Sequence, residues 1–578
     1  MKTPFRTIAV GALALATVLT FVPPAAAAAS TGYLDRTFSD DGKVLTNVAG
    51  DDTGEAVAVQ ADHKIVVAGT THGGTDIALV RYNADGTLDP TFGGDGIVIT
   101  DVSGDDAAFA IAIQDDGRIV VGGFTDDGVS AALFRYDPDG TPDNTFGGGD
   151  GIATISVGTG AVFLGVAIEA DGSIVATGMG NFSGFFGGDI LLARFDSGGV
   201  PDASFGGGDG ITTTKIGFGG IASGIGVQPD GAIVVAGASL SITGNENVAV
   251  LRFDPAGSLD TTFSGDGIVK TDATAGPDTA SDVALMSDGS IVAIGSSGYE
   301  YGLLVGYNTD GTLNTGFGTG GIVQTELGGF GYGFSAGTLQ PDERIVAVGE
   351  GAGDTSDGAD GIVTARYTST GALDPTFGGD GTVFTAFSTD PFGGSSTTPT
   401  GVAIAPGGKI VVAGSNFDDT TGSDIAVVRY GTKATAVRGR PDLLIGNRGV
   451  FVGDGIYNQT GYHQTIPRKV ARGHSVTFAI TIQNDGNATD TIRVRSGGFR
   501  LQGVSLKFFD HGVPIPAFEW SFIGHPEELA VGASTTIKMV VSITSKATIG
   551  RVVTIPVTGA SSNESTRSDT VAAKIRIA

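Results

Sequence analysis

The chain has 578 residues, with 62 acidic and 33 basic side chains, 97 glycines and no cysteine. This length predicts at least two domains, and the lack of cysteine excludes disulfides, thiolate metal sites and a lipid anchor on an N-terminal cysteine. The glycine content favours short strands joined by tight turns, so the predicted fold class is all-β.

Charge is divided unevenly along the chain. Residues 31–433 carry 52 acidic and 15 basic side chains, whereas residues 434–578 carry 10 acidic and 16 basic ones. The two parts are therefore predicted to be separate domains. The strongly acidic first part repels phosphate groups, which excludes nucleic acid and anionic membrane surfaces as its partners.

The N-terminus has the pattern of a secretory signal. Lys2 and Arg6 precede an apolar run that ends at Pro23, and small residues follow as far as Ala29. This pattern predicts a signal peptide over residues 1–29 that is cleaved during export. No other long apolar stretch follows, so we expect an extracellular protein without membrane insertion, and a monomer.

Two short elements recur seven times. One resembles the segment from Leu88 to Val98, and the other resembles Ile65-Val66-Val67-Ala68-Gly69. The first element has its phenylalanine at residues 38, 92, 146, 205, 263, 317 and 377, and the second begins with isoleucine at residues 65, 119, 174, 233, 291, 345 and 410. Seven copies of both elements indicate seven structural units.

Each unit contains four strand-like runs, named a to d. In the first complete copy they are Ala56–Gln60, Lys64–Gly69, Asp76–Tyr82 and Ile97–Thr100. Four antiparallel strands per repeat of 50 to 60 residues are typical of a β-propeller blade, with two-residue Asp-Gly turns predicted between a and b. The sequence predicts a seven-bladed β-propeller over residues 31–430.

The order of the runs at the chain ends predicts how this propeller closes. The chain after the signal opens with a lone d segment, Leu34 to Val48, and the last a, b and c runs end at Tyr430 without a d run. The N-terminal strand is therefore expected to complete the seventh blade, because a closed ring leaves no sheet face unburied.

The repeated residues also carry a family resemblance. The pattern Leu-Asp-x-Thr-Phe-Gly, Asp-Gly-Lys-Ile-Val-Val-Ala-Gly and Arg-Tyr-Asn-x-Asp-Gly resembles the delta-60 repeat, a bacterial β-propeller repeat family of unknown function, over about residues 34–430. The resemblance implies export and a propeller fold, and it implies no activity.

The repeat ends before the last part of the chain. Residues 431–441 are predicted to be a linker and residues 442–578 a β-sandwich, because strand-like runs from Ser475 to Ile577 alternate with turn signals. The stretch Ile482-Gln483-Asn484-Asp485-Gly486 and the later Leu529-Ala530-Val531-Gly532-Ala533 resemble Ig-like modules of bacterial surface proteins. Such modules space, anchor or adhere.

Several motifs resemble catalytic or metal-binding sites, and we interpret each of them as structural. Gly333-Phe334-Ser335-Ala336-Gly337 matches a nucleophile elbow, but it falls in a predicted a strand with no helix after it. The six histidines have no metal-ligand spacing, and Trp520 is the only tryptophan. Asp-rich turns such as Asp137-Pro138-Asp139-Gly140 resemble fragments of a calcium loop, but turn chemistry explains them, so no cofactor is expected and calcium is a lesser alternative.

A charge pairing recurs with the repeat. Strand c ends in an arginine, and an aspartate follows eight residues later, except that the sixth unit has Gly306 and Asn314 together. We interpret the pairs as structural, because loss of one partner alone would leave an orphaned charge. The predicted pairs are Arg81 with Asp89, Arg135 with Asp143, Arg194 with Asp202, Arg252 with Asp260, Arg366 with Asp374, and Arg429 with Asp35.

Loop lengths distinguish the two faces of the predicted propeller. The a-to-b and c-to-d connections repeat one pattern and form a uniform face, whereas the b-to-c and d-to-a connections diverge and form a variable face. Loops free of a structural role are where binding chemistry tends to lie. A ligand is therefore expected on the variable face, at aromatic residues Phe182, Phe185, Phe186, Tyr299 or Tyr301.

No catalytic constellation emerges from the sequence. The leading interpretation is a secreted, non-enzymatic recognition or scaffold protein whose propeller binds an extracellular protein or glycan. One alternative is a propeller enzyme acting on extracellular polysaccharide, a lyase or hydrolase, which requires acid and base groups from different blades near the central axis. Another is a structural component of the cell envelope.

Overall fold

The computed structural model describes residues 31–578, apart from residues 183–186, 243, 299–300, 329–332, 353–359, 388–395, 419–421, 433–440, 448–449, 453–464, 485–489, 497–501, 517–524, 530–533 and 562–567. All regular structure in these residues is β-strand, arranged in nine sheets. None of the described residues forms a helix that is long and apolar enough to span a bilayer.

Six four-stranded antiparallel sheets follow one another from residue 53 to residue 385. In each of them four successive strands pair in chain order, which gives the four strands a, b, c and d. Sheet 1 contains Thr53–Val59, Ile65–Thr71, Asp76–Tyr82 and Ile97–Thr100; sheet 2 contains Ala107–Ile113, Ile119–Thr125, Ser130–Tyr136 and Ile152–Ile155; sheet 3 contains Ala161–Ile168, Ile174–Gly180, Asp189–Phe195 and Ile211–Thr214; sheet 4 contains Gly219–Val227, Ile233–Leu240, Asn247–Phe253 and Ile268–Thr271; sheet 5 contains Asp278–Leu285, Ile291–Ser297, Tyr301–Tyr307 and Ile322–Glu326; sheet 6 contains Gly333–Leu339, Ile345–Ala352, Asp360–Tyr367 and Thr382–Thr385.

Sheet 7 combines strands from both ends of this region. Its a, b and c strands are Ser396–Ala405, Lys409–Asp418 and Gly422–Thr432, and the N-terminal strands Thr31–Leu34 and Lys43–Thr46 both pair with the c strand. Lys43 to Thr46 lie opposite Val428 to Ile425 in antiparallel register. The N-terminal segment therefore supplies the d position of sheet 7.

Each sheet packs on the next through one apolar core. The b and c strands are almost entirely buried, which explains their continuous runs of Val, Ile, Leu and Ala. Seven clusters join the sheets pairwise. One of them unites Phe38, Val67 and Tyr82 with Val411 and Val427, so sheets 7 and 1 share a core as the other neighbours do.

The a-to-b turns differ from the prediction. Gln114 and Arg118 are joined by a backbone hydrogen bond, as are Gly117 and Gln114, so the loop has three residues rather than two. Gly117 has φ of +87°, the left-handed conformation that closes such a loop after a type I turn. The b-to-c connections are shorter than predicted, because paired strands extend to Ala352 and Asp418.

Two further sheets follow residue 440. Strand Gly422–Thr432 extends into the predicted linker range, and Pro441 already begins the next strand. Sheet 8 contains Val450–Val452, Pro441–Asn447, Ser475–Asn484, Ser534–Ile543, Val504–Asp510 and Val513–Ile515 in spatial order, and sheet 9 contains Thr465–Val470, Ser568–Ile577, Val552–Ser561, Asp490–Arg495 and His525–Leu529. Residues of both sheets share one core.

Candidate functional site

The six predicted Arg and Asp pairs all lie in contact. In sheet 2, Arg135 Nε donates to Asp143 Oδ2 at 2.7 Å, and both side chains are almost fully buried. The guanidinium also donates to Thr145 Oγ1 at 3.5 Å and lies 4.4 Å above the Phe146 ring. The other five pairs, Arg81 with Asp89, Arg194 with Asp202, Arg252 with Asp260, Arg366 with Asp374 and Arg429 with Asp35, have Nε to Oδ2 distances of 2.8, 2.8, 2.8, 3.0 and 2.8 Å.

These arginines also reach the neighbouring sheet. Arg135 Nη1 donates to the backbone carbonyl of Ser197, which lies in the c-to-d connection of sheet 3. The same contact joins sheets 1 to 2, 3 to 4, 4 to 5 and 7 to 1, through the carbonyls of Pro138, Pro255, Thr309 and Ala84. Each cluster therefore orders its own c-to-d loop, and five of the six also tie two sheets together.

A glycine in the c-to-d connection of sheets 1 to 6 serves the same junction. Gly140 has φ of +89°, and a Cβ there would lie 2.8 Å from an atom of the Phe92 ring of the preceding sheet. Only glycine suits both the left-handed backbone and this close approach. In sheet 5, where the ion pair is missing, the Phe317 ring lies 2.7 Å from where a Cβ on Gly306 would be and occupies the space of the absent arginine.

A second set of cations joins these clusters. The first residue of the b segment is Lys64, Arg118, Arg344 or Lys409 in sheets 1, 2, 6 and 7, and its cationic group lies 2.7 to 3.2 Å from the same aspartate that the strand c arginine holds. These four sheets are consecutive only because sheet 7 packs on sheet 1. In sheets 3 and 4, which have Ser173 and Ala232 there, the aspartates Asp202 and Asp260 are 27% and 20% exposed, against 2% to 9% in the other four.

The neighbouring cations and hydrogen bonds lower the pKa of Asp89 in sheet 1. Burial alone would favour the neutral acid at Asp89, but hydrogen bonds from Thr91 and Lys64 and the charge of Arg81 outweigh it. They lower the pKa of Asp89 to about 2. Asp89 is therefore ionised at neutral pH and accepts hydrogen bonds from Arg81 and Thr91 within the buried cluster.

A different set of residues lines a central cavity of about 420 Å³. Every one of the seven a strands contributes to its wall, and each has a β-bulge at the same place. A bulge changes the direction of a side chain relative to the regular alternation of the strand. The residues at the bulges of sheets 1 to 7 are Glu55, Phe109, Leu164, Ser223, Ser281, Ser335 and Thr400.

The wall of this cavity is divided into two arcs. Sheets 2 and 3 supply only apolar or glycine residues, including Phe109, Ile111, Leu164 and Val166. Sheets 4, 5, 6, 7 and 1 supply the oxygen-bearing residues Ser223, Ser281 and Asp282, Ser335, Thr400 and Glu55. The cavity is therefore apolar on one side and rich in oxygen on the other, and the residues that line it include no Lys, Arg, His or Tyr.

Three of the four bulge hydroxyls donate to backbone carbonyls. Ser281 Oγ donates to the carbonyl of Phe334 at 3.1 Å, Ser335 Oγ to that of Pro399 at 2.5 Å, and Thr400 Oγ1 to that of Gly54 at 2.5 Å. Each bond crosses to the next sheet. Ser335, the serine of the Gly-x-Ser-x-Gly match, thus lies within strand Gly333–Leu339 and holds two sheets together, as a structural residue does.

Two carboxyl groups of the cavity are poorly hydrated. Burial raises the pKa of Asp282 to about 6, although the backbone N–H groups of Val283 and Gly337 donate to it at 2.7 and 3.2 Å and partly offset the effect. Burial also raises the pKa of Glu55, and a hydrogen bond from Thr53 opposes the shift. These residues were missed in the sequence because Glu55 and Asp282 are 227 positions apart.

The raised pKa of Asp282 predicts that wild type and Asp282→Asn differ in stability by an amount that depends on pH. A raised pKa in the folded state means that ionisation at neutral pH opposes folding, so the cost is absent at low pH and is complete above about pH 6. We expect the Asp282→Asn variant to gain about 2 kcal/mol relative to wild type between pH 4 and pH 8. Denaturant titrations at several pH values measure this gain, with the exposed Glu326→Gln as control. A difference from wild type that does not change with pH would contradict the assignment.

The aromatic residues predicted on the variable face are only partly described. Phe182 is half-buried, and the carbonyl of this residue accepts a hydrogen bond from Thr159 Oγ1 at 2.5 Å. Tyr301 begins the c strand of sheet 5 and is 37% exposed. Phe185, Phe186 and Tyr299 lie outside the described residues, so a binding role for the five aromatic residues stays a prediction.

The remaining motifs make local contacts. Asp139 accepts hydrogen bonds from Thr141, Asp137 contacts Arg118, and Asp143 belongs to the arginine cluster. His72 contacts Asp76, and His511 contacts Asp510. No group of three or more His, Asp or Glu side chains suited to a metal ion occurs in the part of the chain that the structure describes. His463 and Trp520 lie outside it.

Comparison with known proteins identifies the repeat. A family model described as a domain of unknown function (DUF5122) beta-propeller matches residues 60–92, 114–146, 228–263 and 340–377. Each match runs from the end of an a strand to the phenylalanine of the cluster, in sheets 1, 2, 4 and 6. The chain therefore contains bacterial propeller-type repeats. No curated protein matches the chain.

Solved structures show only distant similarity. Native Bacillus subtilis arabinanase Arb43A is 15% identical, with 46% of this chain and 92% of that chain covered and a TM-score of 0.27. A subtype N11 neuraminidase-like protein of A/flat-faced bat/Peru/033/2010 (H18N11) is 11% identical, with 71% and 99% covered and a TM-score of 0.32. A polysaccharide lyase of family PL25, an ulvan lyase, is 11% identical, with 65% and 85% covered and a TM-score of 0.25. TM-scores this low carry no argument about function.

Proposed function

We propose that this protein is a secreted, non-enzymatic recognition protein: residues 31–430 form a seven-bladed β-propeller of the delta-60 type, and residues 442–578 form an Ig-like module that spaces or attaches it. The propeller binds an extracellular protein or glycan at its variable face. Export follows from the signal pattern of residues 1–29. We further propose a monomer without a metal cofactor.

This proposal rests on one observation: the arginine clusters of the uniform face and three hydroxyls of the cavity already form hydrogen bonds within the protein. On the uniform face, the arginine clusters use their donors on their own c-to-d loops and, in five of the six, on the neighbouring sheet. In the cavity, the hydroxyls of Ser281, Ser335 and Thr400 donate to backbone carbonyls and are not paired with a base. The divergent b-to-c and d-to-a connections are not part of these networks, so we place recognition there.

Loop replacement tests this function. The chain from residue 31 is screened against envelope polysaccharides, peptidoglycan and host matrix proteins. Residues 181–188 and 353–359 are then replaced by short Gly/Ser turns, which keeps the paired strand ends up to Ala352 and from Asp360. We expect at least a tenfold loss of binding, about 1.4 kcal/mol, with the melting temperature nearly unchanged.

The matched control lies on the opposite face. Replacing the a-to-b turn 115–117 by Gly and Ser residues of the same length leaves the variable face intact, so binding should be retained. Undiminished binding after both variable-face replacements would overturn the proposal and would move the site to the uniform face or to the second domain.

A second candidate function rests on the two carboxyl groups of the cavity. Glu55 and Asp282 line the same space and both have a raised pKa, and a carboxyl pair is the usual equipment for cleaving a glycosidic bond. Incubation with acidic and neutral polysaccharides tests this alternative. Product formation that disappears in both Glu55→Gln and Asp282→Asn would establish an enzyme in place of a recognition protein.

A further inference from the structure

The central cavity combines features that select one kind of ligand. It measures about 420 Å³, within the range of small-ligand sites. It presents an apolar arc from sheets 2 and 3 and an oxygen-bearing arc from sheets 4, 5, 6, 7 and 1. A ligand that matches both arcs has an apolar body and a polar end.

The polar arc offers acceptors. The hydroxyl hydrogens of Ser281, Ser335 and Thr400 are committed to backbone carbonyls, so these oxygens present lone pairs to the cavity. The carboxylates of Glu55 and Asp282 are acceptors as well when ionised. Apart from the Ser223 hydroxyl, the polar groups of this arc are acceptors, so a hydrogen-bond donor suits it better than an acceptor does.

The charge balance of the cavity requires a positive ligand. None of the residues lining the cavity is basic, so two carboxylates face the space without an internal counter-charge. An unpaired charge in such surroundings is costly, and a bound cation removes that cost. The acidic excess of residues 31–433 also draws cations toward the site.

The arrangement of the acceptors distinguishes between cations. The acceptors Ser281, Asp282, Ser335, Thr400 and Glu55 come from four consecutive sheets, so they approach the cavity from different directions. An ammonium group, with three donors around one nitrogen, fits such an arrangement, whereas a guanidinium needs acceptors in the plane of its fork. The apolar arc of Phe109 and Leu164 suits an alkyl chain.

We infer that the central cavity binds a primary alkylammonium group, supplied by a free alkylamine or by a lysine side chain of a partner. The inference deepens the proposed function, on which it rests, because the bulges lie two to four residues from the strand ends that face the variable side. A ligand on that face can place an ammonium group in the cavity.

Calorimetric titration of the chain from residue 31 tests the inference. The probes are n-butylamine and 1,5-diaminopentane for a free amine, Nα-acetyl-lysine amide for a lysine side chain, and n-butanol as the uncharged analogue of the same length. At about pH 8, above the pKa of Asp282, we expect the amines to bind at least tenfold more tightly than butanol, about 1.4 kcal/mol. Tighter binding of the lysine amide than of the diamine would indicate a protein source.

Variants identify the site. Glu55→Gln and Asp282→Asn should each weaken amine binding about tenfold, and the double variant should abolish it. Phe109→Ala should weaken the amine and butanol alike. Glu326→Gln removes an equal charge outside the cavity and should change nothing. Equal binding of butylamine and butanol, or amine binding that survives in the double variant, would overturn the inference.

The two proposals fail separately. If neither amine nor lysine amide binds while a polymer still binds in a loop-dependent manner, the cavity assignment is wrong and the recognition function stands. If amines bind in the cavity but loop replacement leaves polymer binding undiminished, the variable-face function is wrong and the ammonium site stands.

Discussion

Removing residues 31–46 is expected to lower the melting temperature of the propeller by about 10 °C or more. This segment contributes the two strands that pair with the c strand of sheet 7, together with the fully buried Phe38. It also supplies Asp35, the partner of Arg429. Loss of a buried aromatic ring costs about 3–5 kcal/mol and an orphaned buried charge costs a similar amount, so their sum approaches about 10 kcal/mol.

The closure of the ring makes this deletion unlike the removal of another terminal strand. Phe38 packs in the cluster that joins sheet 7 to sheet 1, and Arg429 donates to the carbonyl of Ala84 in sheet 1. Without the segment, sheet 7 loses its d position and the cluster between sheets 7 and 1 loses Phe38 at once. Scanning calorimetry of the truncated and full chains measures the effect.

A rescue experiment serves as control for the deletion. A synthetic peptide of residues 31–48 should restore the melting temperature of the truncated chain in a concentration-dependent way, since it binds the folded form only. A scrambled peptide of the same composition should not. An unchanged melting curve after deletion would show that the N-terminal strands are not needed to close the ring.

Replacing Arg135 by leucine is expected to cost about 3–5 kcal/mol, close to 4 °C in melting temperature. The guanidinium is 5% exposed and holds Asp143, Thr145 and the carbonyl of Ser197, and it lies over Phe146. Leucine fills part of the volume and leaves a buried carboxylate with a single exposed cation. The loss affects the c-to-d loop of sheet 2 and its junction with sheet 3.

The matched control uses the other cation on the same carboxylate. Arg118 contacts Asp143 Oδ2 at 3.1 Å but is 34% exposed. Exposed pairs contribute little, so Arg118→Leu should cost less than about 1 kcal/mol. A double variant, Arg135→Leu with Asp143→Asn, should lose less than the sum of the single variants, as the Gly306 and Asn314 pair of sheet 5 suggests. Equal effects of Arg135→Leu and Arg118→Leu would contradict the structural role of the cluster.

The clusters also show why the repeat has its particular residues. Leu-Asp-x-Thr-Phe supplies the aspartate, the threonine and the aromatic ring that surround the arginine. The c-to-d connection of the next sheet supplies the glycine that the ring packs against. A residue change in one repeat therefore affects two sheets. This coupling explains why arginine and aspartate are absent together in the one unit that lacks them.

Part of this arrangement follows from the sequence alone. Pairing of Arg135 with Asp143 and the four strands per repeat depend on short spacings, which seven copies make visible in one chain. The N-terminal position of the last strand follows from the d run that is missing after Tyr430. Local turn chemistry was less well predicted, since a three-residue loop with Gly117 and a two-residue Asp-Gly loop share the same letters and differ only in backbone conformation.

The candidate site itself depended on the tertiary structure. Glu55 and Asp282 belong to a common cavity because the a strand is innermost in every sheet and carries a bulge there. A bulge leaves no sequence signal, because the extra residue can be glutamate, phenylalanine, leucine, serine or threonine. The consecutive cations Lys409 and Lys64 likewise become neighbours only when sheet 7 packs on sheet 1. Repetition along the chain determined the contacts within each sheet and to the next one, whereas ring closure decided which residues face one another across the centre.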